Sequence, residues 1–317
     1  MSAGLRLVFA GTPAAAVPSL RALVDSPHEV LAVVTRPDAP KGRGRGLVRS
    51  AVGLAADELG LPVLTPAHPR DDDFVAALSE LAPDCVPVVA YGALVPPPVL
   101  GIPRLGWVNL HFSLLPAWRG AAPVQRAIIA GDELTGATTF VLDQGMDTGP
   151  VLGTLTEAIA PRDTAGDLLE RLAVAGAELL RATMDGLAMG RLTPVAQMAD
   201  GVSLAPKLTV ADARVDWHAP AMHIDRLIRG CTPAPGAWTE LAGHRVKLGP
   251  VLPLTGAEPA DAVALAPGQL LAQKHRVLVG TLTGPVELGS VAAPGRRAMP
   301  APDWARGARL AGDEVFA

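Results

Sequence analysis

The sequence predicts an α/β domain built on a mostly parallel sheet, followed by a small β-barrel. Two observations carry the first domain. Short apolar runs alternate with helical patterns from Leu5 to Ala130, a βαβ rhythm that calls for parallel strands with helices on both faces. Near Thr138 the rhythm gives way to two further runs joined by the Gly-rich stretch Asp143–Pro150, suited to a hairpin-like return. A third observation carries the barrel: from Ala213 onward the apolar runs are short and repeatedly broken by Gly and Pro. With 317 residues, 49% of them hydrophobic, the chain can fill the cores of two ordinary domains. The expected boundaries are 1–189 for the first domain, 190–206 for a linker without periodicity, and 207–317 for the second.

In order, Leu5–Gly11 reads as a strand and Val17–Val24 as a helix. Val30–Thr35 is a strand, and Ser50–Leu59 an amphipathic helix with Ser50 as N-cap. Pro62–Leu64 is a strand, and Asp71–Leu81 a helix whose first turn is acidic, matching the positive end of the helix dipole. Val86–Tyr91 and Trp107–His111 are apolar strands separated by a Pro-rich stretch read as a loop, and Ala121–Ala130 is a helix. Thr138–Leu142 and Val151–Ile159 are strands, and Asp163–Leu187 is a long helix closing the domain. In the second domain, a helix at Ala221–Arg229 precedes strands at Gly236–Leu241, Arg245–Pro250, Gln269–Ala272, Val277–Thr281 and Val286–Val291.

Composition excludes several classes. Cys85 and Cys231 stand alone, in no CxxC or Cys/His cluster, so neither a disulfide framework nor a zinc site is supported, and a reducing cytoplasm fits best. The seven histidines show no ligand spacing, so no metal is expected. Only Leu7–Ala10 is cleanly apolar before Gly11, Thr12 and Pro13, so the start reads as an internal strand rather than a signal peptide. Five prolines in Cys85–Pro103 argue against a membrane helix there. Gly11 lacks the second and third glycines of a dinucleotide fingerprint, and no Walker sequence occurs. The net charge is −4, yet Arg36–Arg49 holds five basic residues against Asp38 alone, a local +4.

Chemistry is expected at Asn109–Pro123. Alternate strand residues share a face, so Asn109 and His111 aim an amide and an imidazole at one spot, at a strand end of the kind where α/β enzymes bind ligands. A catalytic His111 needs a carboxylate to orient it; Asp147 is the best candidate, with Asp143 and Asp132 as competitors. An Asn/His/Asp group without an activated nucleophile suits acyl transfer in which the substrate itself attacks. Ser113 shares the parity of His111, so a Ser/His/Asp hydrolase is conceivable, but Gly-x-Ser-x-Gly is absent.

These residues also carry a resemblance. Asn109-x-His111 with Ser113-Leu-Leu-Pro116, then Trp118-Arg-Gly120, Ala121-Ala-Pro123 and Asp147-Thr-Gly149, resemble the 10-formyltetrahydrofolate-dependent formyltransferases in motif and order. Phe9–Pro13, Gly42-Arg-Gly44, Val88–Gly92, Arg214–Trp217, Arg226–Arg229, Pro233–Trp238 and Val246-Lys247 are similar to the branch that formylates initiator methionyl-tRNA. The resemblance covers nearly the whole chain; Phe112 departs from it, standing where other members carry Gly or Pro. It implies a Rossmann-like folate-binding domain, an OB-like domain that helps hold tRNA, and 10-formyltetrahydrofolate as formyl donor, with no membrane partner. It further implies that Asn109, His111 and Asp147 are catalytic, that Ser113, Leu114, Leu115 and Pro116 bind the folate, and that Arg43 reaches the acceptor end of the tRNA. An N-formyltransferase acting on an amino-sugar nucleotide is the nearest rival, with the basic loop and the barrel against it. A monomer is expected.

Overall fold

Strand order fixes where a site can form, and here the order is β5-β2-β1-β6-β7-β8-β9 in one seven-stranded sheet. The structure, a computed structural model, describes residues 4–41, 46–254, 264–310 and 313–317. The chain divides into two compact units. The first comprises Met1–Pro123, Leu134–Ala158 and Leu169–Ala205; the second comprises Val124–Glu133, Ile159–Leu168 and Pro206–Ala317.

The elements begin with β1 (Arg6–Gly11), a single 3₁₀ turn, α1 (Val17–Val24) and β2 (Glu29–Val34). A short ribbon of β3 (Ala39–Lys41) and β4 (Gly46–Val48) follows, then α2 (Ala51–Glu58), β5 (Val63–Leu64) and α3 (Asp72–Leu81). Next come β6 (Val86–Val89), α4 (Pro97–Leu100), β7 (Trp107–His111), α5 (Pro123–Ala130), β8 (Leu134–Val141), β9 (Val151–Ala158) and α6 (Ala165–Ala188). All pairings from β5 through β7 are parallel, whereas β7–β8 and β8–β9 are antiparallel. The sheet is therefore the mostly parallel one expected.

Local chemistry explains the element ends. The Ser50 hydroxyl accepts from the Gly53 N–H at 2.9 Å and caps α2; such a cap contributes about 1 kcal/mol. A Cβ on Gly11 would lie 3.0 Å from the Val89 carbonyl oxygen and 2.9 Å from the Phe9 ring, so only glycine lets β1 turn this close to β6. The Pro-rich stretch after β6 is not simply a loop: Pro97 and Pro98 open α4, where a missing N–H costs nothing, and the Trp107 indole donates to the Val99 carbonyl at 3.0 Å. Trp107 is fully buried among Val8, Val34, Phe74, Leu78 and Val86.

In the second unit, β10 (Trp238–Leu241), β11 (His244–Leu248), β12 (Val251–Pro253), β13 (Leu270–Ala272), β14 (Val277–Val279), β15 (Val286–Leu288), β16 (Ser290–Ala292) and β17 (Met299–Pro300) accompany α7 (Ala221–Gly230) and α8 (Ala301–Ala308). They pair antiparallel in two sheets, β10-β11-β16-β17 and β12-β15-β14-β13. The single run read from Val286 to Val291 is two strands, because Gly289 interrupts it and its Cβ would lie 2.3 Å from the Pro250 carbonyl oxygen. Phe316 stacks on both Trp217 and Trp304 in this unit's core. Among the described residues no helix is long and apolar enough to cross a membrane.

Candidate active site

β7 pairs with parallel β6 on one side and antiparallel β8 on the other, so its residues face two environments. Val108 and Leu110 are buried on one face. The His111 ring stands edge-on to Phe140, the register partner of Asn109, at 6.4 Å, which places Asn109 and His111 on the other face as their parity requires. His111 is 6% exposed. Asn109 is half-buried, and its side-chain amide makes no hydrogen bond to any described residue.

Both nitrogens of the His111 ring meet oxygen. Nε2 lies 2.9 Å from the Trp118 carbonyl. A carbonyl only accepts, so the hydrogen of this bond is on Nε2. Nδ1 faces the Asp147 carboxylate at 3.7 Å. That carboxylate also accepts the Gly120 N–H at 2.7 Å. Asp147 thus stands beside the imidazole. Asp143 instead accepts from the Gly145 N–H and the Thr148 hydroxyl and shapes the turn.

Asp147 reaches His111 by a different route from the one strand geometry suggests. The register sets Val141, the last residue of β8, opposite Val108 near the start of β7, and the Leu142 N–H donates to the Trp107 carbonyl. The connection to β9 must therefore fold back along β7 to bring a carboxylate to His111. Asp147 adopts a left-handed backbone, φ 52°, within that fold-back. Asp tolerates this region better than most residues because its short polar side chain bonds locally.

Ser113 does not continue the strand parity, since β7 ends at His111. Its hydroxyl donates to the Ala117 carbonyl at 2.6 Å, and its own carbonyl accepts from the Thr138 hydroxyl at 2.7 Å. A hydroxyl so used is no nucleophile for His111. Leu114 and Leu115 are half-buried, Pro116 is buried behind a cis Leu115–Pro116 bond, and the Leu115 N–H donates to Thr138. Ser113–Pro116 is thus a turn pinned to β8 next to His111. Arg43 lies outside the described residues. Of the basic stretch around it, Arg36 donates to the Ala67 carbonyl and Arg49 pairs with Asp57.

Residues that sequence reading missed come from the expected linker. Gln197 donates through one amide nitrogen to the carbonyls of Asp147 and Gly149, both at 2.8 Å, and accepts from Arg119 at 2.6 and 3.1 Å. Ser203 accepts from the Trp118 N–H at 2.9 Å and, through its carbonyl, from the Arg119 N–H. No periodicity marks either residue; an isolated Gln in a polar stretch gives no signal.

The site can hold an acyl oxygen beside the Asn109 amide, with an imidazole facing a carboxylate and, among the described residues, no activated nucleophile beside it. A model of the formyl transferase family matches residues 5–184, and a model of the formyl transferase C-terminal domain matches residues 207–309. Among similar proteins, the methionyl-tRNA formyltransferase of Salinispora arenicola is 64% identical over 313 residues, covering 99% of this chain and 100% of the relative. That of Thermobifida fusca is 64% identical over 98% of this chain and 99% of the relative. Two solved structures share the fold at low identity. HypX from Aquifex aeolicus, in complex with tetrahydrofolic acid, aligns with a TM-score of 0.65 at 18% identity, covering 96% of this chain and 47% of that one. The sugar 3N-formyl transferase WlaRD aligns at 0.67 and 14% identity, covering 92% and 99%.

Proposed function

The chain belongs to the formyl transferase family, and from that premise we propose that it moves a formyl group from 10-formyltetrahydrofolate to the amino group of methionyl initiator tRNA. Two full-length relatives at 64% identity, both named methionyl-tRNA formyltransferase, support this reading over an amino-sugar acceptor. The work of such a protein is in the cytoplasm, where initiator tRNA is charged. The donor supplies a carbon already at the oxidation level of formate, so the protein must position it, stabilise charge and move one proton.

Asn109 and His111 are the donors we assign to the formyl oxygen. The unbonded Asn109 amide is an observation in favour: a half-buried donor without a described partner suits a ligand oxygen. The Nε2 hydrogen of His111 is held by Trp118, so substrate exchanges that carbonyl for the formyl oxygen. As the amine adds to the formyl carbon, negative charge grows on that oxygen, and fixed donors in a partly dry site stabilise it. The amine loses a proton, which Asp147 accepts directly or through water, its carboxylate oriented by the Gly120 N–H, and the adduct collapses by breaking the bond from the formyl carbon to N10 of the folate, which takes up a proton and leaves as tetrahydrofolate. Ser113–Pro116 would line the folate site. The antiparallel strands of the second unit would act as the OB-like domain that grips the tRNA, with Arg43 at its acceptor end.

The deciding assay incubates the protein with 10-formyltetrahydrofolate and charged initiator tRNA and scores formylmethionine against free formate. Formate without formylmethionine would make it a hydrolase and overturn the reading. Asn109→Ala should fold yet lose about 10²- to 10³-fold in rate, the usual cost of one oxyanion donor; a near-native single-turnover rate removes Asn109 from the mechanism. Arg43→Ala should raise KM for the tRNA more than for the folate. Unchanged dependence on tRNA concentration would leave the loop a merely solvated one.

A further inference from the structure

The Asp147 loop folds back along β7 with little packing of its own: Asp143, Gln144, Gly145, Met146 and Thr148 are all exposed. Such a connection would wander unless held from outside. Two backbone carbonyls of the loop, that of Asp147 itself and that of Gly149 two residues on, are both taken by Gln197. The other end of the same amide is taken by Arg119, next to Trp118, whose carbonyl holds the opposite nitrogen of the His111 ring. The orientation of this amide is forced. Arginine only donates and carbonyls only accept, so a flipped amide would lose all four bonds.

The surrounding backbone repeats the same tie. Val195 exchanges two backbone hydrogen bonds with Val151 just beyond the loop, at 2.7 and 2.8 Å. Ser203 and Ala205 bond Arg119 in a parallel bridge, and Ala205 also accepts from Ala122. Gly120, whose N–H orients the Asp147 carboxylate, passes so close to this segment that a Cβ there would lie 2.7 Å from the Ala205 carbonyl oxygen. Residues 195–205 are therefore a strap binding both loops that meet at His111.

We propose that Gln197 is a positioning residue: it locks Asp147 in its left-handed conformation with the carboxylate toward His111, and couples that lock through Arg119 to the Trp118–Gly120 turn. This rests on the formyl-transfer reading, in which Asp147 takes a proton. Gln197 touches no reacting atom, and the effect of its two donations runs through the Asp147 loop.

The test compares Gln197→Ala and Gln197→Glu, each alone and in an Asp147→Asn background, by single-turnover and steady-state formylation of charged initiator tRNA. Gln197→Glu keeps an acceptor for Arg119 but turns an oxygen toward two carbonyls, so it probes the donations alone and serves if the Ala variant does not fold. A displacement of about 1 Å typically costs up to about 10²-fold. Each single variant is expected to lose about 10- to 100-fold in kcat, with KM for both substrates unchanged. In the Asp147→Asn background neither should cost anything further, because the group it positions is already gone. Full kcat in Gln197→Glu would overturn the proposal, as would losses that multiply with that of Asp147→Asn. An inactive wild type would instead overturn the formyl-transfer reading itself, and the positioning role with it.

Discussion

Asp147 separates charge from conformation, and two substitutions read the two apart. Its carboxylate accepts a charge-assisted bond from the Gly120 N–H at 2.7 Å, and its side chain is 16% exposed. Its φ is 52°, in the left-handed region. Asp147→Ala loses the bond, worth about 1.5 to 3 kcal/mol when one partner is ionised, and adds strain of about 1 kcal/mol because alanine resists this region. Its folding stability should fall by about 2.5 to 4 kcal/mol. Asn tolerates φ > 0 and its carbonyl still accepts from Gly120, so Asp147→Asn should lose only about 1 kcal/mol, the difference between a charged and a neutral acceptor. Catalysis should not follow that order. Both variants lack the proton acceptor, and removing a general base typically costs about 10²- to 10⁴-fold. Urea titration monitored by circular dichroism gives the stabilities, and single-turnover formylation gives the rates. A stable Asp147→Asn with wild-type rate would refute the proton-acceptor role, and equal stability of the two variants would refute the conformational argument.

Two further outcomes follow from buried titratable groups. His28, 7% exposed, accepts the Leu5 N–H on Nδ1 at 3.1 Å, and burial outweighs the attraction of Asp185 to hold its pKa below 6.5. The folded state therefore binds fewer protons than the unfolded one below pH 6.5, and stability present above that pH is lost as the pH falls toward the folded value. His28→Leu should flatten the denaturation midpoint between pH 7 and 5; an unchanged slope would acquit His28. Burial pushes the thiols of Cys85 and Cys231 up to about 12 and about 11, so neither is a thiolate at pH 8. Iodoacetamide should label neither in the folded protein and both in urea, as counted by mass spectrometry; labelling of the native protein would refute their burial.

What the sequence made legible is what periodicity and local chemistry determine. Trp107–His111 was readable residue for residue, because an apolar run of alternating faces between turn signals has one sensible fold, and Ser50 announced its helix because a hydroxyl there has one obvious use. α4 escaped because three prolines resemble a loop until Trp107 supplies the Val99 carbonyl with a partner from outside the segment. Asp147 was legible by type and spacing, but its path was not. An antiparallel β8 carries the chain away from His111, and bonds from distant residues hold the returning loop. Gln197 lies 50 residues from Asp147 in sequence, and Ser203 lies 85 from Trp118. Neither pair follows a helix or strand period, so no local rule predicts it. The chemistry of the site could be read from the groups that perform it, whereas its geometry is supplied by a segment with no pattern of its own. Substitutions at Gln197 or Ser203 are therefore where sequence-based expectation and measured rate should diverge most.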